Sequence, residues 1–275
     1  MAAPPSKLAV LTSFLIALIL LPPLSSGQEV EDEKEFSYDV GSENGPEKWG
    51  RIHEEWAACG VGKLQSPIDL KNERVQVVDG LGDLWRTYRP APAVLKNRGH
   101  DIMLKWEGEA GGLWINGTEY KLKQLHWHSS SEHTVDQRRY QLELHMVHES
   151  ADKKLAVVGI LYKLGRPDLF LAQLGNYIKK LTDVDEAAEE KVGLVDPWNV
   201  KWGSRKYYRY MGSLTTPPCT EGVLWTIINK VRTVSKEQVK LLREAVHDEF
   251  EDNARPTQPT NGRDVFMYRP KIHLH

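Results

Sequence analysis

The chain has 275 residues, of which 40% are hydrophobic and 27% are charged, a composition typical of a folded globular protein and not of a disordered tail or a coiled coil. Lys and Arg together number 36 against 38 Asp and Glu, so the formal net charge is -2. This balance argues against broad electrostatic binding to nucleic acid or anionic lipid, and it suits a small neutral substrate.

Residues 1–27 have the pattern of a secretory signal peptide. Lys7 precedes an apolar run over residues 8–21, and two prolines and several small residues follow up to Gly27. These fourteen residues are fewer than the roughly 20 that a membrane span needs. We therefore predict cleavage after Gly27 and no stable membrane insertion afterwards, with an uncleaved anchor as the alternative.

The remainder of the sequence indicates a single domain. Residues 28–35 form an acidic leader that we expect to be flexible, and no long repeat or low-complexity block follows it. The simplest division places one domain at residues 36–275. Entry into the secretory pathway predicts release from the cell, with a plastid reached through that pathway as the alternative destination. A monomer and a homodimer are both compatible with the sequence.

The expected secretory route allows a disulfide and a glycan to form on this chain. Cys59 and Cys219 would meet oxidising conditions, and no third thiol competes for either of them. We predict a disulfide between them, with two buried free thiols as the alternative. Asn116 begins an Asn-Gly-Thr sequon and is a candidate glycosylation site.

Short β-rich or alternating stretches between Gly, Pro and Asn residues predict a protein built mainly on a central sheet. The predicted strands cover residues 93–96, 102–106, 121–128, 141–148, 156–162 and 224–229. Helical periodicity is clearest in residues 235–249, where Ser235 and Gln238 form a capping-box pattern. A second helix is predicted over residues 168–180.

Histidine is concentrated in one part of the chain, where five of the ten histidines fall within 23 positions. They are His126, His128, His133, His145 and His148. In a strand, residues i and i+2 project from the same face, so His126 and His128 lie side by side with Trp127 on the opposite face. A His-x-His pair on its own is weak evidence for a metal site.

The strand predicted at residues 141–148 supplies a third imidazole. Its alternation sets Leu142, Leu144 and Met146 on one face and Glu143, His145 and Val147 on the other. If the two strands pair as antiparallel neighbours, His145 joins His126 and His128 around one ion. Three neutral imidazoles with an open fourth position are typical of catalytic zinc, whereas structural zinc usually has four protein ligands, often cysteine.

Two further polar residues extend the zinc hypothesis. Glu132 follows the first of these strands, and Thr215 lies in a Ser-Leu-Thr-Thr-Pro-Pro run. A buried carboxylate can hold a threonine hydroxyl so that its lone pair faces a zinc-bound hydroxide. The alternative for each residue alone is that it caps a loop. A zinc peptidase is disfavoured because the chain has no His-Glu-x-x-His motif.

At these residues the sequence resembles the α-class carbonic anhydrases, in particular their secreted plant branch, and the resemblance covers nearly all of the predicted mature chain. The matching segments are residues 44–49 (NGPEKW), 65–69 (QSPID), 124–128 (QLHWH), 131–136 (SEHTVD), 143–148 (ELHMVH) and 212–218 (GSLTTPP). The resemblance implies a mainly β (α+β) fold with a central, largely antiparallel twisted sheet and short peripheral helices. It also implies reversible hydration of carbon dioxide to bicarbonate and a proton by zinc-bound hydroxide.

The same resemblance assigns roles to individual residues. It implies Zn²⁺ held by His126, His128 and His145, support of these ligands by Gln124 and Glu143, and orientation of the hydroxide by Glu132 and Thr215. It implies a substrate pocket walled by Val147, Val157, Leu214, Thr215, Thr216, Val223 and Trp225. His100 matches the position of the family's proton shuttle, with a solvated surface histidine as the alternative. Secreted members carry a disulfide at positions matching Cys59 and Cys219.

The sequence departs from the family pattern on the water-lined side of the expected cavity. Arg98 and Met103 stand where well-known fast members have amide side chains, and the cavity tyrosine aligns ambiguously with Tyr38 or Val40. A guanidinium beside His100 would lower the pKa of that imidazole.

A non-enzymatic storage or binding protein on the same scaffold is the alternative function, because some plant relatives look like such proteins. The joint presence of the three histidines, Glu132 and Thr215 favours the enzyme.

Overall fold

The computed structural model describes residues 35–182 and 188–270, so the predicted signal peptide and residues 28–34 of the leader lie outside the described residues. The described strands are β1 (Asp69–Leu70), β2 (Gln76–Val77), β3 (Trp85–Arg86), β4 (Ala91–Asn97), β5 (Ile102–Trp106), β6 (Gly112–Ile115), β7 (Thr118–His128), β8 (Thr134–Val135), β9 (Leu142–Ser150), β10 (Leu155–Leu164), β11 (Glu189–Val195), β12 (Tyr207–Ser213), β13 (Glu221–Ile228), β14 (Arg232–Val234) and β15 (Phe266–Tyr268). The α-helices are α1 (Ala58–Val61), α2 (Leu169–Lys180) and α3 (Lys236–Ala245). Short 3-10 helices cover Trp49–Arg51, Glu54–Trp56, Asn72–Arg74, Asp79–Leu81, Pro197–Asn199 and Asp248–Phe250.

One large mixed sheet organises the described residues. Its strand order is β11-β4-β5-β7-β9-β10-β13-β12-β15-β2, with β14 beside β10, and β6 and β3 continuing from β7. Pairing is antiparallel from β11 through β10, whereas β10 pairs with β13 and β14, and β15 with β2, in parallel. The separate β1–β8 pair is also parallel. The expectation of a mainly β fold with a largely antiparallel central sheet and short helices is confirmed.

Strands β7 and β9 have two faces of opposite character. Leu125 and Trp127 of β7, with Leu144 and Met146 of β9, are buried in the larger apolar core, which α2 and α3 cover. We call this side of the two strands the helix face. The alternate residues, including His126 and His145, project to the opposite side, which we call the histidine face. The alternation predicted for residues 141–148 is therefore confirmed.

Local capping explains where the helices begin. Asp168 accepts a hydrogen bond from the Leu171 backbone N–H at 3.0 Å at the start of α2, and Ser235 with Gln238 forms the predicted capping box at the start of α3. The helix is shorter than the predicted range of residues 235–249, because α3 ends at Ala245. There Val246 is extended, and the next backbone N–H leaves the helix to bond the Gly99 carbonyl at 3.1 Å.

The predicted disulfide is present. Cys59 and Cys219 are bonded, with their Cα atoms 5.0 Å apart, so the alternative of two free thiols is wrong. The bond lies in a separate buried cluster with Phe36, Tyr38, Trp49, Trp56 and Phe250. This cluster attaches the start of the described chain to the segment that follows α3.

The sequon lies at the tip of the β6–β7 hairpin. Ile115 pairs with Thr118, and Asn116 and Gly117 both have positive φ, at 50° and 78°, as a two-residue turn of this kind requires. Asn116 is exposed. An exposed turn is compatible with a glycan, and glycosylation at Asn116 stays a prediction.

Candidate metal centre

Strand register brings the three histidines together. β7 and β9 are antiparallel neighbours with His126 directly opposite His145, while His128 follows two residues later on the same face. The ring centroids are 4.6 to 5.2 Å apart, and all three residues are at least 99% buried. One nitrogen from each ring lies within 4.8 Å of the other two. The geometry predicted from strand alternation is therefore observed.

Each imidazole is oriented by an acceptor behind it. His126 Nδ1 donates to Gln124 Oε1 at 2.9 Å, and His128 Nδ1 donates to the Asn253 carbonyl at 2.8 Å. His145 uses the other nitrogen, since its Nε2 donates to Glu143 Oε1 at 2.9 Å. A neutral imidazole that donates from one nitrogen carries its lone pair on the other, so all three rings are in the tautomer of a metal ligand.

The donor set fits a zinc ion. His128 Nε2 and Glu132 Oε2 are buried, lie 3.6 Å apart, and have no hydrogen-bond partner among the described residues. Burial alone would lower the pKa of His128, but the Glu132 carboxylate and the Asn253 carbonyl raise it above the ordinary value. The surroundings thus favour a positive charge at this point. Three converging imidazoles without a thiol are the ligands of a catalytic zinc site.

Glu143 is the centre of a charged network behind His145. Its Oε1 also accepts from His133 Nδ1 at 2.7 Å, and its Oε2 accepts the backbone N–H groups of Glu132 and His133 at 2.9 and 2.8 Å. Burial opposes ionisation of Glu143, but His133 and His145 hold its pKa well below the usual range. A carboxylate at this point makes His145 a stronger electron donor to a metal.

The network continues through two residues that sequence reasoning missed. His133 Nε2 lies 2.6 Å from the Tyr210 hydroxyl, which is 2.9 Å from Ser66 Oγ. His133 belongs to the histidine cluster and Ser66 to a segment that matches the family, but the sequence pattern assigned neither a role. Tyr210 lies outside every predicted strand and every matching segment.

Glu132 and Thr215 are both buried, with 0% and 2% of their surfaces exposed. Glu132 Oε1 accepts the backbone N–H of Arg255 at 3.0 Å. Its Oε2 lies 3.6 Å from His128 Nε2 and 4.0 Å from His145 Nδ1 and accepts no hydrogen bond, so a Thr215–Glu132 hydrogen bond is not formed here. The orienting roles of the two residues stay predictions.

The residues predicted to wall a substrate pocket share one location. Val147, Val157, Leu214, Val223 and Trp225 belong to a single buried apolar cluster on the histidine side of the sheet. The Trp225 ring lies 4.8 Å from the His145 ring, and its Nε1 donates to the Ser213 carbonyl at 2.9 Å. Thr216 is also buried, and its hydroxyl has no hydrogen-bond partner within residues 35–182 and 188–270.

His100 is fully buried, so it is not the solvated surface residue of the alternative interpretation. Its ring packs edge-on against Phe36 at 5.5 Å and Phe250 at 6.4 Å. Arg98 is also buried and donates to Asp101 through Nε at 2.7 Å and a terminal nitrogen at 2.5 Å. The carboxylate balances the guanidinium charge, and the charges of Arg98 and His100 outweigh burial and hold the Asp101 pKa well below its usual range.

The other departures from the family pattern are also placed. Met103 is the direct neighbour of His126 across the β5–β7 pair and is buried. Of the two candidates for the cavity tyrosine, Tyr38 is buried against Trp49 and Phe250, whereas Val40 is 70% exposed.

Comparison with known proteins agrees with this geometry. A family model described as eukaryotic-type carbonic anhydrase matches residues 44–269. The chain belongs to the α-carbonic anhydrase family. Alpha carbonic anhydrase 7 of Arabidopsis thaliana is 58% identical to it over 248 residues, which are 90% of each chain.

Two solved structures show how far this α-carbonic anhydrase fold is shared. A dioscorin complexed with ascorbate has a TM-score of 0.84 and 49% identity, covering 86% of this chain and 99% of the dioscorin. A hyperthermostable carbonic anhydrase from a hydrothermal vent chimney has a TM-score of 0.77 and 32% identity, covering 85% of this chain and all of its own. Across residues 35–182 and 188–270, no helix is both long and apolar enough to cross a membrane.

Proposed function

We propose that this protein is a zinc-dependent carbonic anhydrase that reversibly converts carbon dioxide and water into bicarbonate and a proton. The observation that carries the proposal is the group of three buried imidazoles, each oriented by its own acceptor, in a member of this family. When bound, zinc makes a hydroxide nucleophile available near neutral pH, a property for which carbonic anhydrase is itself the standard example.

The protein residues prepare the site for that chemistry. His126, His128 and His145 hold the metal through neutral nitrogens, and the ionised Glu143 strengthens donation from His145. The Thr215 hydroxyl would accept a hydrogen bond from the attacking hydroxide, and Glu132 would hold that hydroxyl in the orientation this requires. This last step requires Thr215 to donate its own proton to Glu132, whose Oε2 is available as an acceptor.

The apolar wall selects the substrate. Val147, Val223 and Trp225 offer no charged group, so they exclude ordered water and accommodate a small neutral molecule such as carbon dioxide. Bicarbonate carries a charge that this wall does not compensate. The wall therefore favours the substrate over the product in the direction of hydration.

A proton must leave the site after each turnover, and we assign this step to His100. The ring is buried beneath Phe36 and Phe250, so exchange with buffer is expected to limit turnover. Under this assignment, His100→Ala lowers kcat, and added imidazole buffer restores part of it. A His100→Ala enzyme with unchanged kcat at low buffer concentration would remove the assignment.

We also propose that the protein is secreted after cleavage behind Gly27 and that it carries a glycan on Asn116. The signal-peptide pattern of residues 1–27 supports secretion, and the exposed hairpin turn supports the glycan. Mass spectrometry of the secreted protein before and after enzymatic deglycosylation tests both points, because an N-terminus other than Gln28 or an unmodified Asn116 would contradict them.

The decisive experiment is stopped-flow hydration of carbon dioxide by the purified, disulfide-intact protein, with zinc measured on the same sample. We expect rapid hydration at one zinc per chain, and loss of both in His126→Ala. A folded protein with one zinc per chain but no hydration would defeat the proposal.

A second candidate function, binding without catalysis, is favoured by the similarity to a dioscorin bound to ascorbate. It predicts that the protein binds ascorbate in calorimetry whether or not zinc is present. An inactive protein that binds ascorbate would make this the leading function.

A further inference from the structure

Arg255 is a buried cation held by oxygen atoms from three places. It is 1% exposed, and its guanidinium donates to Gln65 Oε1 at 2.9 Å, the Ser66 carbonyl at 2.8 Å and the Cys59 carbonyl at 3.1 Å. Within the described residues it forms no ion pair at 4 Å or less. Burial lowers the pKa of Arg255 to about 10, which is still well above neutral pH. It is therefore charged at neutral pH, and its hydrogen bonds fix its position because leaving any of them unmade would be costly.

The backbone beside Arg255 supports the metal centre. Its own N–H donates to Glu132 Oε1 at 3.0 Å. Two residues earlier, the Asn253 carbonyl accepts a hydrogen bond from the ring Nδ1–H of His128. The short segment 253–255 therefore orients one candidate metal ligand and the carboxylate next to it.

The guanidinium of Arg255 is linked to the loop that carries Thr215 through Gln65 and Ser66. Ser66 and Ser213 exchange two hydrogen bonds, from Ser66 N–H to Ser213 Oγ at 2.9 Å and from Ser213 N–H to Ser66 Oγ at 3.0 Å. At the other end of the loop, Gln65 Nε2 donates to the Cys219 carbonyl at 3.1 Å. Both ends of the loop are thus attached to the pair of residues whose oxygens Arg255 holds.

We propose that Arg255 is a positioning residue that sets Glu132 and the Thr215 loop relative to each other. Its main chain holds Glu132, and its side chain holds the loop through Gln65 and Ser66. This inference rests on the proposed function, in which Glu132 and Thr215 act as a pair on the nucleophile. It assigns Arg255 no contact with substrate or metal.

A double-mutant cycle tests the inference. Arg255→Lys keeps the charge but loses the forked geometry, so kcat/KM for hydration falls by roughly 10- to 100-fold with one zinc per chain retained. Glu132→Gln lowers kcat/KM by a comparable factor. If Arg255 acts through Glu132, kcat/KM of the double variant is less than about 3-fold below that of the less active single variant. The reason is that the effects of two residues that act as a unit do not add.

The matched control is Arg209→Lys. Arg209 is also buried, at 3% exposed, but its Nε donates to Thr226 Oγ1 on the opposite side of the sheet and has no connection to Glu132. We expect kcat/KM within about 2-fold of the wild type, whatever the loss of thermal stability.

A second readout needs no activity. In the zinc-free protein, amide hydrogen exchange of residues 213–219 increases in Arg255→Lys, whereas exchange in α2 stays at the wild-type rate. If Arg255→Lys does not fold, Gln65→Leu takes its place in both measurements with the same expected results.

Losses that multiply in the cycle, or unchanged exchange in the loop, would overturn the positioning role in an active enzyme. A zinc-loaded wild type without hydration activity would instead reject the proposed function, and the inference with it.

Discussion

On the histidine face of β7 and β9 the side chains include three imidazoles and a carboxylate, whereas the helix face of the same strands carries Leu125, Trp127, Leu144 and Met146. Both faces are equally buried, so burial does not distinguish them. The two faces differ in what their side chains contact. Groups on the helix face pack against other apolar side chains. On the histidine face, His128 Nε2 points toward Glu132 Oε2, and neither atom has a hydrogen-bond partner in the part of the chain that the structure describes.

His148 shows that a buried histidine in β9 is not by itself a candidate metal ligand. It belongs to β9 like His145, but its Nε2 lies 2.7 Å from the Tyr88 hydroxyl and its Nδ1 donates to the Ala156 carbonyl at 3.1 Å. Both nitrogens are used, and burial lowers the pKa of His148 to about 4, so the ring is neutral and structural. The pKa of His128 moves in the opposite direction because Glu132 faces it.

The largest expected effect comes from His128→Ala on the histidine face. Removal of one of three ligands should lower zinc affinity by roughly three orders of magnitude or more, since two imidazoles hold zinc far less well than three. Competition with a chromophoric zinc chelator measures this, and circular dichroism of the zinc-free variant checks the fold. A variant that binds zinc like the wild type would show that the ion is held elsewhere.

Trp127→Ala tests the neighbouring residue on the helix face. Loss of this buried ring should cost about 3–5 kcal/mol of unfolding free energy, because a cavity opens against Phe170 and α2. Zinc stoichiometry should stay at one per folded chain. Urea unfolding gives the energy, with the exposed Lys123→Ala as control at under about 0.5 kcal/mol. A Trp127→Ala protein that keeps its stability but loses zinc would erase the distinction between the faces.

The smallest of the three effects is the pH dependence that His148 contributes. Its folded pKa of about 4 lies below the unfolded value of 6.5, so between these pH values the unfolded chain binds a proton that the folded chain does not. The stability it contributes is complete above about pH 6.5 and decreases by about 3 kcal/mol as the pH falls to 4. Urea midpoints at pH 7 and 4.5 should therefore differ less in His148→Gln than in the wild type. Equal pH slopes in the two proteins would contradict the neutral buried ring.

Local periodicity was sufficient to predict which histidines share a face. The two-residue period of β7 and β9 placed His126, His128 and His145 on one face, because side-chain direction in a strand depends only on neighbouring positions. The 102–106 strand and the start of the helix at Asp168 were likewise local features, and they were predicted correctly.

Contacts between distant segments could not be predicted in this way. Asn253, which orients His128, and the parallel pairing of β10 with β13 depend on how the chain returns to the sheet, which no local pattern encodes. The end of α3 at Ala245 was missed for the same reason, since a tertiary hydrogen bond to Gly99 competes with the helix. The Arg98–Asp101 ion pair could have been predicted from the sequence, because oppositely charged side chains three residues apart often form ion pairs.

The distances along the chain between these partners determine when the site can first exist during synthesis. All three imidazoles are present once residue 145 has been made, but the acceptor of His128 comes 125 residues after it and that of Glu132 comes 123 residues after it. At ribosomal rates of roughly 5 to 20 residues per second, a nascent chain carries the three imidazoles for about 5 to 20 s before the segment that orients His128 and Glu132 emerges. The three candidate metal ligands are therefore synthesised well before the contacts that complete the geometry around them.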